Sequence, residues 1–167
     1  MSLIKYTGII EFDPHHLTKK HEDQGRWKRM AIIYMPGDIA AYYSWYVLKR
    51  FDLKILKPAR GPHISFISDR FMDIDAKGGH AKQALWNKVK NKYQGKKIDM
   101  VLDTDVRTNG DHWWLNVETS SRQKIQSIRD QLGFDKPYFG LHMSLGYAAN
   151  VNLSHQIHGY IKNGVSW

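Results

Sequence analysis

The chain has no cysteine among its 167 residues. This absence excludes disulfide bonds, thiolate nucleophiles and cysteine-ligated metal sites. No apolar run approaches the roughly 18 residues that a membrane-spanning helix needs, and the first residues do not combine a basic segment with a long apolar core, as a secretory signal does. We therefore expect a protein of the cytoplasm that does not associate with a membrane.

Acidic residues are also scarce relative to basic ones. The chain has 16 Asp and Glu against 25 Lys and Arg, which gives a formal charge of +9. Such an excess draws anions toward the surface, with nucleotides and RNA as the first candidates, although the charge could also serve solubility alone. The length fits a single domain over residues 1–167 with a substantial core.

Two short segments have nearly the same pattern. Residues 62–66 read PHISF and residues 141–145 read LHMSL, so each contains a His and a Ser separated by one apolar residue. In an extended strand, side chains two positions apart share a face. His63 and Ser65 should therefore lie together, as should His142 and Ser144, with the intervening apolar side chains on the buried side.

An imidazole and a hydroxyl on one face suit the cleavage of a phosphodiester. Attack by a neighbouring 2'-hydroxyl requires one group that removes a proton and another that protonates the departing 5'-oxygen. Histidine fits both roles because its ordinary pKa of about 6.5 keeps both protonation states populated near neutrality. The serine hydroxyl can donate to a non-bridging phosphate oxygen, where charge accumulates in the transition state. This chemistry demands no metal.

The surroundings of the two segments also repeat. An apolar run over residues 30–35 and helical spacing from Ile39 to Val47 precede the first segment, and an apolar strand pattern at residues 113–117 and helical spacing from Ile125 to Leu132 precede the second. Both read as strand, helix, strand, which indicates two diverged copies of one unit. The spacing of Ser120 and Gln123 predicts a capping box for the second helix, and 109–110 (NG) predicts a hairpin. An opening strand is expected over residues 4–12, and a short helix over residues 153–161.

The two His-x-Ser segments, the first preceded by Pro62, resemble the paired motifs of the 2H phosphoesterase superfamily. The resemblance covers roughly residues 30–147. It implies an α+β, bilobal 2H phosphoesterase-like fold, in which two pseudo-symmetric strand-helix-strand lobes with antiparallel sheets surround a central cleft. Members of the superfamily need no metal and cut 2',3'-cyclic phosphates, 2'-5' linkages or 3'-5' linkages in RNA-like molecules.

The resemblance also implies roles for individual residues. It assigns the acid and base roles to His63 and His142, and the phosphate contacts to Ser65 and Ser144, with no cofactor. Many members have Thr at the two serine positions, so this chain keeps the hydroxyl but loses the methyl group that stiffens the side chain.

Small size and basic charge make the chain most similar to the phage anti-CBASS phosphodiesterases, which destroy cyclic oligonucleotide signals of bacterial immunity. The implied function is cleavage of 3'-5' linkages in a cyclic di- or trinucleotide, in the host cell cytoplasm if the protein is phage-encoded, by a monomer without an obligate protein partner. The alternatives within the same fold are a 2'-5' oligoadenylate phosphodiesterase and an RNA 2',3'-cyclic phosphodiesterase. A non-enzymatic alternative is an RNA-binding module, in which the two His-x-Ser copies would be incidental.

Three further residues are candidates for substrate binding. Arg60 lies three positions before His63 and could grip a second phosphate through its guanidinium, whereas Tyr6 and Trp167, near the chain ends, could cover a bound base. Trp113 and Trp114 alternate on a strand, so at most one can face the site. Glu118 could accept from a base edge. His15, His16 and His21 lack acidic residues at a strong ligand spacing, and no metal site is expected there.

Overall fold

The computed structural model describes residues 2–14, 30–58, 60–68, 83–134, 137 and 140–162. Seven strands occur in these residues: β1 (Leu3–Phe12), β2 (Met30–Tyr34), β3 (Ile55–Leu56), β4 (His63–Ser68), β5 (Lys97–Thr108), β6 (His112–Val117) and β7 (His142–Ala148). The four helices are α1 (Gly37–Phe51), α2 (Gln83–Tyr93), α3 (Thr119–Gln131) and α4 (Val151–Lys162). The prediction of an α+β fold with antiparallel strands is confirmed.

The strands form one sheet in the order β3-β7-β4-β2-β1-β5-β6, and β7 also pairs with β6. This extra pairing closes six strands into a barrel, with the short β3 attached to the far end of β7. All observed pairings are antiparallel. Closure leaves fewer free strand edges, which would otherwise present unpaired backbone groups.

The element order contains an internal repeat. Apart from β3, the chain reads β-β-α-β-α from β1 to α2, and again from β5 to α4. Exchanging β1 with β5, β2 with β6, and β4 with β7 leaves the pairing pattern of the barrel unchanged. The repeat is therefore longer than the strand-helix-strand unit expected from sequence.

The two faces of the closed sheet differ. The helices pack against one face: the Trp113 indole donates to Ser154 of α4 at 2.9 Å, and the rings of Phe12 and Trp86 of α2 lie 5.1 Å apart. Because four helices, each about 10–12 Å across, cannot fit inside six strands, this is the outer face of the barrel. The opposite side, which carries the His and Ser side chains of both motifs, is called the inner face below.

Sequence periodicity explains most element boundaries. On β1, Gly8, Ile10 and Phe12 are buried and alternate with exposed or half-buried neighbours, as expected for a strand with one face on the core. The predicted opening strand begins one residue earlier than expected, and the last predicted helix extends from Val151 to Lys162. The hairpin at 109–110 is present between β5 and β6.

The predicted capping box at the start of α3 is wrong. The N-cap is Glu118, whose carboxylate accepts from the backbone N–H of Ser120 at 2.7 Å and from its hydroxyl at 2.5 Å. Ser120 therefore lies inside the first turn as a donor. The carboxylate satisfies a helix N–H that would otherwise lack a partner and also interacts favourably with the positive end of the helix dipole.

None of the helices within the described residues is both long enough and apolar enough to span a membrane.

Candidate functional site

The two His-x-Ser motifs are direct neighbours in the barrel. Strands β4 and β7 pair with His63 opposite Ser144 and Ile64 opposite Met143, and one further step along this register corresponds to Ser65 and His142. Paired residues share a face of the sheet, and diagonal neighbours have Cα atoms about 7–8 Å apart. His63 and His142 are such a diagonal pair, so a local twofold between the strands exchanges the two motifs.

Each imidazole is held by the carbonyl of the glycine two residues before it. The Nδ1 atom of His63 lies 2.7 Å from the Gly61 oxygen, and Nδ1 of His142 lies 2.8 Å from the Gly140 oxygen. A carbonyl can only accept, so Nδ1 carries the hydrogen in both rings. Nε2 is then free to take up or release a proton, and the bond to the carbonyl persists in either state.

The surroundings of the two motifs are not equivalent. His63 retains 9% of its surface exposed, whereas His142 is half-buried. Burial lowers the pKa of His63, the charge of Arg60 and the neighbouring His142 lower it further, and the hydrogen bond to Gly61 opposes them. The electrostatic effect of His142 agrees with the closeness that the strand register implies. Ser65 is exposed and Ser144 is half-buried.

Replacing Arg60 with glutamine is expected to raise the pKa of His63 toward its ordinary value of about 6.5, because one of the charges that disfavour the imidazolium is removed. A histidine with a lowered folded-state pKa stabilises the fold above about pH 6.5, and this contribution is lost as the pH falls toward the folded-state pKa. NMR titration of the His63 ring proton in the free protein measures the shift. Arg60→Lys is the control, since it keeps the charge; equal titration of both variants would contradict the electrostatic role.

Arg60 lies at the edge of the His63 side of the site. Its guanidinium is half-buried, which lowers its pKa, while the hydroxyl groups of Tyr34 and Tyr147 raise it. Both tyrosines therefore lie close to this side chain. Tyr34 is directly opposite His63 on β2, and burial, with Glu11 nearby, raises the pKa of its phenol.

Tyr147 was not expected at the site from the sequence, and a bulge in β7 explains why. Counting from His142 by twos places Tyr147 on the outer face, but β7 carries one extra residue, Leu145, in its pairing with β6. Tyr147 then pairs with His112, and their rings lie 4.8 Å apart. Such a bulge reverses the side-chain alternation beyond it. The signal in the sequence was Gly146, since a glycine inside a strand often marks a bulge.

Trp114 is the tryptophan of the pair that faces the site. It pairs with Ser144, and its ring centroid lies 5.8 Å from that of His142. Its indole N–H donates to Asn116 Oδ1 at 3.1 Å, and Asn116 is directly opposite His142. Trp113, in contrast, is fully buried on the outer face.

Two of the remaining candidates lie elsewhere. Tyr34 of β2 pairs with His63 on one side and with Ile9 of β1 on the other. Because paired residues share a face, the odd-numbered residues of β1 lie on the inner face. Tyr6 therefore points to the outer face. There it packs against the core, and burial and Asp38 raise its pKa. Contrary to the expectation, the structure does not bring Tyr6 to the His-Ser motifs. Glu118 caps α3 with its carboxylate, a role that explains its position without a bound base.

Trp167 lies outside the described residues, as do His15, His16 and His21. Of the seven predicted site residues, the structure brings together His63, Ser65, His142 and Ser144, and places Arg60 beside them. Within the described parts of the chain, no group of three or more His, Asp or Glu side chains is arranged to hold a metal ion.

The arrangement offers two imidazoles, each bonded through Nδ1 to a carbonyl, and two hydroxyls on a single face of the sheet, with one guanidinium beside them. Comparison with known proteins adds no assignment to this geometry: no protein-family model matches the chain, and neither a curated protein nor a solved structure matches it significantly.

Proposed function

We propose that the protein is a metal-independent phosphodiesterase of the 2H type that cleaves 3'-5' linkages in cyclic di- or trinucleotides. One observation carries the proposal: the two His-x-Ser motifs are in-register neighbours, and a glycine carbonyl holds each Nδ1 so that both Nε2 atoms are available. Acid-base catalysis of phosphodiester cleavage needs two such groups within reach of one phosphate.

In the proposed reaction, the 2'-oxygen attacks phosphorus and gives its proton to Nε2 of His63. The bond from phosphorus to the 5'-oxygen breaks, and Nε2 of His142 supplies the proton that this oxygen takes up. The products are a 2',3'-cyclic phosphate and a 5'-hydroxyl. Water can then open the cyclic phosphate with the two histidines in exchanged roles, which returns each ring to its starting protonation state.

The assignment of base and acid follows from the different surroundings of the two rings. His63 is the more buried, it has a cation beside it, and its pKa is lowered. Each of these favours the neutral imidazole, which is the form a base requires. His142, half-buried on the open side of the pair, is then the acid.

Ser65 and Ser144 are proposed to donate to the non-bridging oxygens of the scissile phosphate, whose charge grows in the transition state. Arg60 is proposed to contact a second phosphate, as a cyclic dinucleotide would present one. A guanidinium suits this role because its planar donors match two phosphate oxygens. The formal charge of +9 would also favour the approach of an anionic substrate.

The bilobal 2H-like architecture is part of the same proposal. It is supported by the repeated β-β-α-β-α order and by the symmetric pairing pattern, which relates the motif strands β4 and β7. This substrate preference would suit a counter-defence role for a phage. The protein would destroy the cyclic signal of the bacterial CBASS system in the cytoplasm of the host.

The proposal is tested by offering the purified protein a panel of substrates in the presence of EDTA, with products separated by chromatography. The panel contains cyclic di- and trinucleotides, 2'-5' oligoadenylate and RNA ending in a 2',3'-cyclic phosphate. We expect turnover of cyclic oligonucleotides that survives chelation. Processing of 2'-5' linkages or RNA ends alone would shift the substrate class within the same fold, and tight RNA binding without any product would favour a binding module instead.

A further inference from the structure

The local twofold makes the two sides of the histidine pair comparable, and they are chemically different. Trp114 lies on β6 beside Ser144, and the corresponding position on β2, beside Ser65, is Ile32. Ile32 is fully buried, whereas Trp114 is half-buried. Only the β6 side of the motif pair therefore offers an aromatic surface at this position.

Trp114 is also held in a defined orientation. Its N–H is bonded to Asn116, and its ring is tilted by 57° to the His142 ring at 5.8 Å. Because the polar edge of the indole is satisfied by a neighbour on the same strand, the ring does not need the site for a hydrogen bond. A fixed aromatic face next to an imidazole suits the stacking of a nucleobase, which every base can provide.

The following inference rests on the proposed function. We propose that Trp114 stacks on the base of the leaving nucleoside, which is the one whose 5'-oxygen is protonated by His142. The position of Trp114 supports this assignment, because its ring lies beside the imidazole that meets the leaving oxygen. Ile32, at the corresponding position on the opposite side, offers no equivalent surface. Asn116 is then a positioning residue for the indole. On the His63 side the aromatic neighbour is Tyr34, which lies close to the Arg60 guanidinium. We therefore expect the site to require a base on the leaving side more strictly than on the attacking side.

Cyclic dinucleotides with one 2'-deoxy unit provide the test. Only the linkage at the 3'-oxygen of the ribose unit can be cleaved, because only this unit has the 2'-hydroxyl that attacks phosphorus. The deoxy unit is therefore always the leaving nucleoside. Three versions are compared: both bases present, the leaving base replaced by hydrogen, and the attacking base replaced by hydrogen. The proteins are the wild type, Trp114→Ala, Trp114→Phe, and Trp45→Ala as a matched control, since Trp45 is an exposed residue of α1.

We expect loss of the leaving base to reduce kcat/KM of the wild type by about 10- to 100-fold, the range that stacking of one base provides. Trp114→Ala should show a similar loss on the intact substrate and no further loss when the leaving base is absent. Trp114→Phe should retain most of the activity, and Trp45→Ala should behave as wild type. Undiminished turnover of the leaving-abasic substrate by Trp114→Ala also shows that this variant is folded.

Other outcomes overturn the inference in separable ways. If the losses from Trp114→Ala and from removal of the leaving base multiply, the two groups do not interact. If Trp114→Ala is coupled to the attacking base instead, the leaving-side assignment is wrong. If Trp114→Ala leaves turnover of every substrate unchanged, this inference alone is wrong. If none of the three substrates is turned over, both the proposed function and the inference are wrong.

Discussion

Replacement of either His63 or His142 with alanine is expected to reduce turnover of a cyclic dinucleotide by about 100- to 10,000-fold, the range typical of a lost general acid or base. The physical reason is that each ring supplies one of two coupled proton transfers. The double variant should be little worse than either single one, because groups that act as a unit give strongly non-additive losses. Initial rates measured by chromatography at saturating and limiting substrate separate kcat from KM.

His155→Ala is the matched control for these variants. His155 is an exposed histidine of α4 that lies 3.2 Å from Asp111 across the surface, and exposed ion pairs contribute little to stability. The control should therefore retain both fold and activity. If either His63→Ala or His142→Ala keeps more than about a tenth of the wild-type rate, the paired acid-base mechanism is wrong.

Gly146→Ala is expected to lower the free energy of unfolding by about 2 kcal/mol or more, as overpacking at a closely packed backbone position does. A Cβ atom at Gly146 would lie 2.2 Å from the Leu56 carbonyl oxygen and 3.2 Å from its carbonyl carbon. Both neighbours are backbone atoms of β3, so the strand must move. Because Arg60 follows shortly after β3, this movement should also weaken activity.

Gly159→Ala provides the opposite control. Gly159 is inside α4, and apart from the backbone of this helix no atom lies within 4 Å of the Cβ that would be added. Alanine there should stabilise the protein by about 0.5–1 kcal/mol, since glycine is a poor helix former. Urea unfolding followed by circular dichroism measures both variants. If Gly146→Ala is as stable as the wild type, β3 is not packed against β7 as described.

Local features of the fold could be predicted because they depend on neighbouring residues. The alternation of His63 and Ser65 with buried apolar residues, the spacing of the α1 core residues Ile39, Tyr43 and Val47, and the turn at 109–110 all follow from periodicity or turn chemistry. The capping residue of α3 was misjudged because Ser is a favoured N-cap residue and Glu is not. Only the extended backbone of Glu118 shows that the cap lies two residues earlier.

Placement of the aromatic residues could not be predicted in the same way. Tyr6 was expected near a bound base, but the pairing of β1 with β2 directs it to the outer face. Tyr147 was not expected there, but an extra residue in β7 turns it to the inner face. Both outcomes depend on how each strand pairs with partners far away in the chain. Gly146 could indicate a bulge, but only the pairing of β7 with β6 shows which side chains it turns to the inner face.

The amino-acid pattern alone was sufficient for the chemical character of the candidate site: two imidazoles and two hydroxyls on polar strand faces, no thiol, and an excess of cationic groups. It could not place the two motifs against each other. His63 and His142 are 79 positions apart, and their closeness comes from the β4–β7 pairing in a closed sheet. Only the folded barrel creates such a contact, because strand pairing is a long-range interaction whose register depends on burying both apolar faces at once.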